Sequence, residues 1–210
     1  MRMYLSSYQL GEHGERLRTM VRGDRRGLVI ANALDGCADD RREADTRRQI
    51  ALLAELGLTA RDLDLREHDA STIRNAVGAP DFLWIRGGNV FTLRMALARS
   101  GMDEVILEGL REDRFVYAGF SAGACVLAPS LAGLEHCDPV GPCIAEHGGV
   151  RYDGLGVLDR PVVPHLDSPR HPETELLGEV ARRYEAAGTS YWALRDGQVL
   201  IVDGEDSLVL

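Results

Sequence analysis

An α/β fold, a three-layer sandwich around a mostly parallel central sheet, is predicted by three features of the 210-residue sequence. Short apolar and β-branched runs alternate along the chain with longer amphipathic ones. The runs at residues 28–33, 82–85 and 115–118 have the character of buried strands. Glycine-rich turns follow the last two, at Gly87-Gly88 and at Gly119, the position of strand-to-helix turns in such folds.

The elements follow in order. Residues 3–6 read as a first strand, and residues 28–33 as a buried strand running into a loop with Asn32 and Asp35. Residues 41–56 form a helix, with Ile50, Leu52, Leu53 and Leu56 on one face and Gly57 as its stop. Leu63 and Leu65 alternate with Asp62 and Asp64, the pattern of a short strand near the sheet edge. The strand at 82–85 leads through Gly87-Gly88-Asn89 into a helix from 90 to about 98, then a second helix at 103–110. The strand at 115–118 runs into Gly119-Phe120-Ser121-Ala122-Gly123-Ala124 and a helix at 125–131. Residues 132–153 read as an irregular loop, and residues 154–163 return to β character before Pro164-His165. A helix at 172–187 starts on proline and ends before Gly188. Two or three short strands close the chain around the turns Arg195-Asp196-Gly197 and Asp203-Gly204. No linker, repeat or low-complexity tract interrupts the pattern, so one domain over residues 1–210 is expected.

Composition excludes several classes. A formal charge of −9 argues against a general nucleic-acid binder. All 24 basic residues are arginine. A Ser–Lys dyad, a pyridoxal-phosphate lysine and a phosphate-binding P-loop are thereby removed, because each needs a lysine amine. No cofactor is implied. Cys37, Cys125, Cys137 and Cys143 form no C-x-x-C pair, and His136, Cys137, Cys143 and His147 match no tight ligand spacing, so no metal is expected. The first residues lack an apolar signal region, and no run approaches the ~20 apolar residues that span a bilayer. A cytoplasmic location without membrane partners is the expectation, and a homodimer is compatible with it.

Chemistry concentrates at two turns. Gly119-Phe120-Ser121-Ala122-Gly123 fits G-x-S-x-G between a strand and an apolar helix, where a sharp turn lifts a serine hydroxyl clear of the backbone. The plain alternative is a small-residue turn that only packs helix onto sheet. Gly87-Gly88-Asn89 ends the neighbouring strand on the same edge, where ligands of parallel sheets bind. Gly88 N–H and Ala122 N–H are the expected oxyanion donors. Arg86 and Asn89 are candidates for substrate contact, and Asn89 also suits a helix cap. With no lysine, the base must be one of six histidines. His165, at a strand end level with the elbow, is the expected one, with His136 and His147 of the irregular loop as the alternatives. A histidine base needs an orienting carboxylate, and Asp138, Glu146 and Asp167 compete for that role on spacing.

The segments RGGNVFTLRMAL, YAGFSAGACVLAPS, Asp138-Pro139 and VVPHLD together resemble the peptidase E family of serine peptidases, which also takes in cyanophycinases. The likeness covers residues 82–167. It implies a fold similar to class I glutamine amidotransferases, which is flavodoxin-like, and a triad of Ser121, His165 and Asp138, with Gly88 and Ala122 as oxyanion donors. The G-E-T-R element of aspartyl dipeptidases corresponds to Pro172-Glu173-Thr174-Glu175 and lacks its arginine here, which weakens an aspartyl-dipeptide specificity; Arg86, Arg170 or Arg195 can substitute. A less characterised branch shares P-H-x-D-S, in which Asp167 would orient the histidine. The expected activity is hydrolysis of short peptides through an acyl-enzyme, an acidic N-terminal residue being one reading. The alternatives are a small-molecule esterase or amidase, and a non-catalytic protein that keeps the crevice for ligand binding.

Overall fold

A computed structural model describes all 210 residues. In chain order the elements are β1 (Arg2–Ser6), α1 (Gly14–Met20), β2 (Arg26–Ile30), α2 (Asp39–Glu55), β3 (Thr59–Asp62), α3 (Ile73–Val77), β4 (Phe82–Ile85), α4 (Val90–Ser100), α5 (Met102–Arg111), β5 (Val116–Phe120), α6 (Ala122–Cys125), α7 (Val140–His147), β6 (Val162–Val163), α8 (Thr174–Ala186), β7 (Trp192–Ala193), β8 (Val199–Asp203) and β9 (Asp206–Val209).

Seven strands make one sheet in the order β3-β2-β4-β5-β1-β8-β9, and β6 and β7 make a separate pair. The first five are mutually parallel; β8 and β9 join antiparallel at one edge. Side chains alternate between the two faces, as the period of two demands. Met3, Leu5, Leu83 and Ile85 enter a core of 41 buried residues, shared with α4, α5 and α8. Tyr4, Phe82 and Trp84 enter a core of 13 on the opposite face, with Leu17 of α1 and Leu53 of α2. Both faces of the central strands are therefore covered, which is why their sequences read as unbroken apolar runs.

Four local expectations are corrected. The helix expected at 125–131 is only one turn, at Ala122–Cys125. The carbonyls of Val126, Leu127 and Ala128 accept from the N–H groups of residues 155–158 instead of continuing a helix. For the same reason the β character of 154–163 is mostly an extended segment docked on that turn, and only β6 pairs as a strand. Leu63 and Leu65 are buried, yet the strand lies before them and Leu65 starts a 3₁₀ turn, its N–H donating to Asn32 Oδ1 at 3.1 Å. The loop of 132–153 contains α7, and α1 and α3 carry too few apolar residues to announce themselves.

Candidate active site

The elbow is built by close packing of two strand ends. Ser121 has φ 50° and ψ −117°, a conformation that side chains with a Cβ rarely adopt. Its N–H donates to Ser6 O of the neighbouring β1 at 3.2 Å. A Cβ on Gly123 would lie 2.3 Å from Ile85 O, and one on Gly87 would lie 2.9 Å from Ser121 Cβ. Only glycine lets β4 and β5 approach this closely. Ala122 N–H opens α6 and so has no acceptor within the helix. Gly88 N–H has no partner within the protein, and Gly87 just before it packs against Ser121.

His165 leaves β6 with φ 55° and is 1% exposed. Its N–H donates to Ser7 Oγ at 2.8 Å, and its Nδ1 lies 2.6 Å from Asp196 Oδ1. The Ser7 hydroxyl donates to the same Asp196 oxygen at 2.8 Å. Asp196 is held in turn by its own N–H, which donates to Ser168 Oγ at 2.8 Å. Consecutive residues of one strand end thus tie the two halves together: Ser6 binds the elbow and Ser7 binds the histidine. Tyr8 extends this link, its ring meeting Phe120 and His165 edge-on at 6.2 and 6.1 Å.

Burial lowers the His165 pKa, and the Asp196 carboxylate only partly opposes it. The ring is therefore neutral at pH 7. An ionised Asp196 places its one proton on Nδ1 and leaves Nε2 with a free lone pair.

Asp138 is not the partner of this imidazole. Its carboxylate accepts from Val90 N–H at 2.8 Å at the start of α4, where burial pushes its pKa up to about 7. Asp167 pairs with Arg195 at 3.0 Å on the surface, and Glu146 lines a separate polar cavity with Asp35 and Arg66. Arg86 does not present a free guanidinium: Nε donates to Asp45 at 2.6 Å and Nη1 to Gly87 O. Asn89 caps α4 by accepting from Thr92 N–H at 3.0 Å and ties down Pro139 O through Nδ2 at 2.9 Å. His136 contacts Arg183, and Cys143 Sγ donates to Gly149 O at 3.4 Å, so these two side chains serve local packing. Cys125 is buried against Val162 O, with its thiol pKa pushed well up.

Sequence reasoning missed Ser7, Tyr8 and Asp196. Asp196 was visible only as part of a turn, and nothing local connects it to a histidine 31 residues earlier. A cavity of about 570 Å³ opens at the Asp196 turn, lined among others by Tyr8, Asp167, Arg170, His171, Arg195 and Asp196. Arg170 is exposed there and has no carboxylate within ion-pair distance.

The model of peptidase family S51 matches residues 39–210. The chain belongs to this family. Membership makes it a serine peptidase. A peptidase of Listeria monocytogenes is 27% identical over 154 residues, 73% of this chain and 72% of the relative. Peptidase E of Streptomyces coelicolor is 27% identical over 168 residues, 78% of this S51 chain and 64% of the relative. Among solved structures, a putative peptidase E from Listeria monocytogenes superposes with a TM-score of 0.81 at 21% identity, covering 100% of this chain and 97% of its own. A peptidase from an actinobacterium gives a TM-score of 0.71 at 18% identity, with 100% and 86% covered. The flavodoxin-like peptidase E architecture expected for this S51 protein is thus the one found. No helix is long and apolar enough to cross a membrane.

Proposed function

We propose that the protein hydrolyses short peptides through an acyl-enzyme on Ser121, with His165 as general base and Asp196 as the orienting carboxylate. The observation that carries this reading is the 2.6 Å contact between His165 Nδ1 and Asp196, held by Ser7, whose neighbour Ser6 accepts from the N–H of the strained Ser121. His165 Nε2 takes the Ser121 proton as Oγ attacks the amide carbon. Gly88 and Ala122 N–H groups receive the negative charge that develops on the carbonyl oxygen. The imidazolium then protonates the leaving amine, and water repeats the sequence to release the acid.

An acidic N-terminal residue is the side chain we assign to the cavity at the Asp196 turn. Arg170 supplies an unpaired guanidinium there, the lining Asp167 is engaged by Arg195, and Arg86 is withdrawn by Asp45. The four cysteines are free thiols, in keeping with a cytoplasmic location.

A dipeptide panel including N-terminal Asp, run with wild type and Ser121→Ala, tests the reading. The variant should lose at least about 10³-fold in kcat and all fluorophosphonate labelling. Unchanged turnover by Ser121→Ala would refute it.

A further inference from the structure

The loop after the base folds a second imidazole and a carboxylate onto it. The His171 ring stacks on the His165 ring, with centroids 3.5 Å apart and planes 4° from parallel. Glu173 follows two residues later. One ligand atom from each of His165, His171 and Glu173 lies within 4.8 Å of the other two. The loop is shaped by its own bonds: His171 N–H donates to Ser168 O at 2.8 Å, and Thr174 Oγ1 donates to His165 O at 2.7 Å.

We propose that His165, His171 and Glu173 form a binding site for a borderline divalent cation of the Zn2+ type, and that its occupation switches the hydrolase off. Two imidazoles and one carboxylate are a ligand set that suits Zn2+, with water free to complete the tetrahedron. The outer contacts suit it too. A metal-ligating histidine characteristically donates its other N–H to a carboxylate, and Asp196 stands at that position on His165 Nδ1. Nε2 is left as the ligand atom on His165. On His171, Nδ1 accepts from Glu173 N–H at 3.3 Å, so Nε2 is the less engaged nitrogen there as well.

The lone pair that would bind the cation is the one that would take the proton of Ser121. The two uses exclude each other, so the metal inhibits. In the stack the lone pairs of the two rings lie in separate parallel planes and cannot converge on one ion. Coordination therefore requires His171 to tilt off His165, which its half-buried position and single long ring hydrogen bond allow. The effect on activity rests on the reading of His165 as the base; the binding of metal does not.

Co2+ titration of the Ser121→Ala protein, followed by visible absorption, reads binding without turnover. Intense tetrahedral bands, displaced by Zn2+ and weakened at least tenfold in affinity by His171→Ala or Glu173→Gln, are expected. In the wild type, saturating Zn2+ should slow fluorophosphonate labelling of Ser121 at least tenfold, and EDTA should restore it. The Zn2+ concentration needed should rise at least tenfold in His171→Ala. Co2+ binding that is unchanged by His171→Ala, or Zn2+ that leaves labelling untouched, overturns the proposal. Wild type that fails to label even in EDTA would instead defeat the hydrolase reading, and the Co2+ titration would still decide the site.

Discussion

At position 196, an Asp→Asn change keeps the shape of the side chain and removes the charge that fixes the His165 tautomer. An amide Nδ2 facing Nδ1 favours the proton on Nε2, the wrong nitrogen for a base. Loss of about 10⁴-fold in kcat is the scale such a tautomer error produces, and it should appear in steady-state hydrolysis by Asp196→Asn. Asp138→Asn should behave oppositely, retaining activity within a few-fold, because its acceptor oxygen can still meet Val90 N–H. Equal losses in the two variants would return Asp138 to the triad. Ser7 belongs to the same scale. Ser7→Ala strands the buried His165 N–H, at a cost of about 1–3 kcal/mol in stability, and frees Asp196 to turn; a lower kcat with preserved KM is expected. Since burial holds the His165 pKa below its ordinary value of 6.5, the acid limb of kcat/KM should have its midpoint below that value.

Among the elements, the elbow depends on backbone proximity rather than on helix propensity. Gly123→Ala would drive a Cβ into Ile85 O, a backbone atom that cannot step aside. Either β4 or β5 must shift, which costs about 1–3 kcal/mol and displaces Ser121. Denaturant unfolding should show the stability loss, and fluorophosphonate labelling should slow in the fraction that remains folded. The G-x-S-x-G signature is legible in the sequence because this geometry admits few residue types. The shortness of α6 is not legible, since it is decided by residues 155–158, which capture the carbonyls that a longer helix would use. Local apolar spacing around Cys125–Leu131 is the same in either case.

For the molecule as a whole, two buried groups bend stability with pH in opposite senses. The folded state holds the Asp138 proton more tightly than the unfolded chain does, with a pKa of about 7 against 3.8. The unfolded state therefore binds fewer protons between those values, and this group makes stability fall as pH rises from about 4 to 7. His165 acts the other way. Its folded pKa is lowered from 6.5, so its contribution is complete above 6.5 and is lost as pH falls below it. Asp138→Asn should remove the first effect alone, raising Tm at pH 7–8 relative to wild type by about 2–4 °C for each kcal/mol regained, with little change near pH 4. Thermal melts across that range check it; a Tm at pH 8 below that of wild type would contradict the assignment.

The layered α/β architecture, the sharp turn at Ser121 and a histidine just past a strand are all legible along the chain. Each of these is written in residues close together in the chain: apolar runs, paired glycines, and a Pro-His step after a strand. Which carboxylate faces His165 is not legible in that way. Position 196 reaches position 165 because β7, paired with β6, returns the chain to the carboxyl ends of the strands, where Ser7 joins both. Contacts of that kind depend on which strands become neighbours, and spacing along a single chain does not encode which distant acid will face a given imidazole.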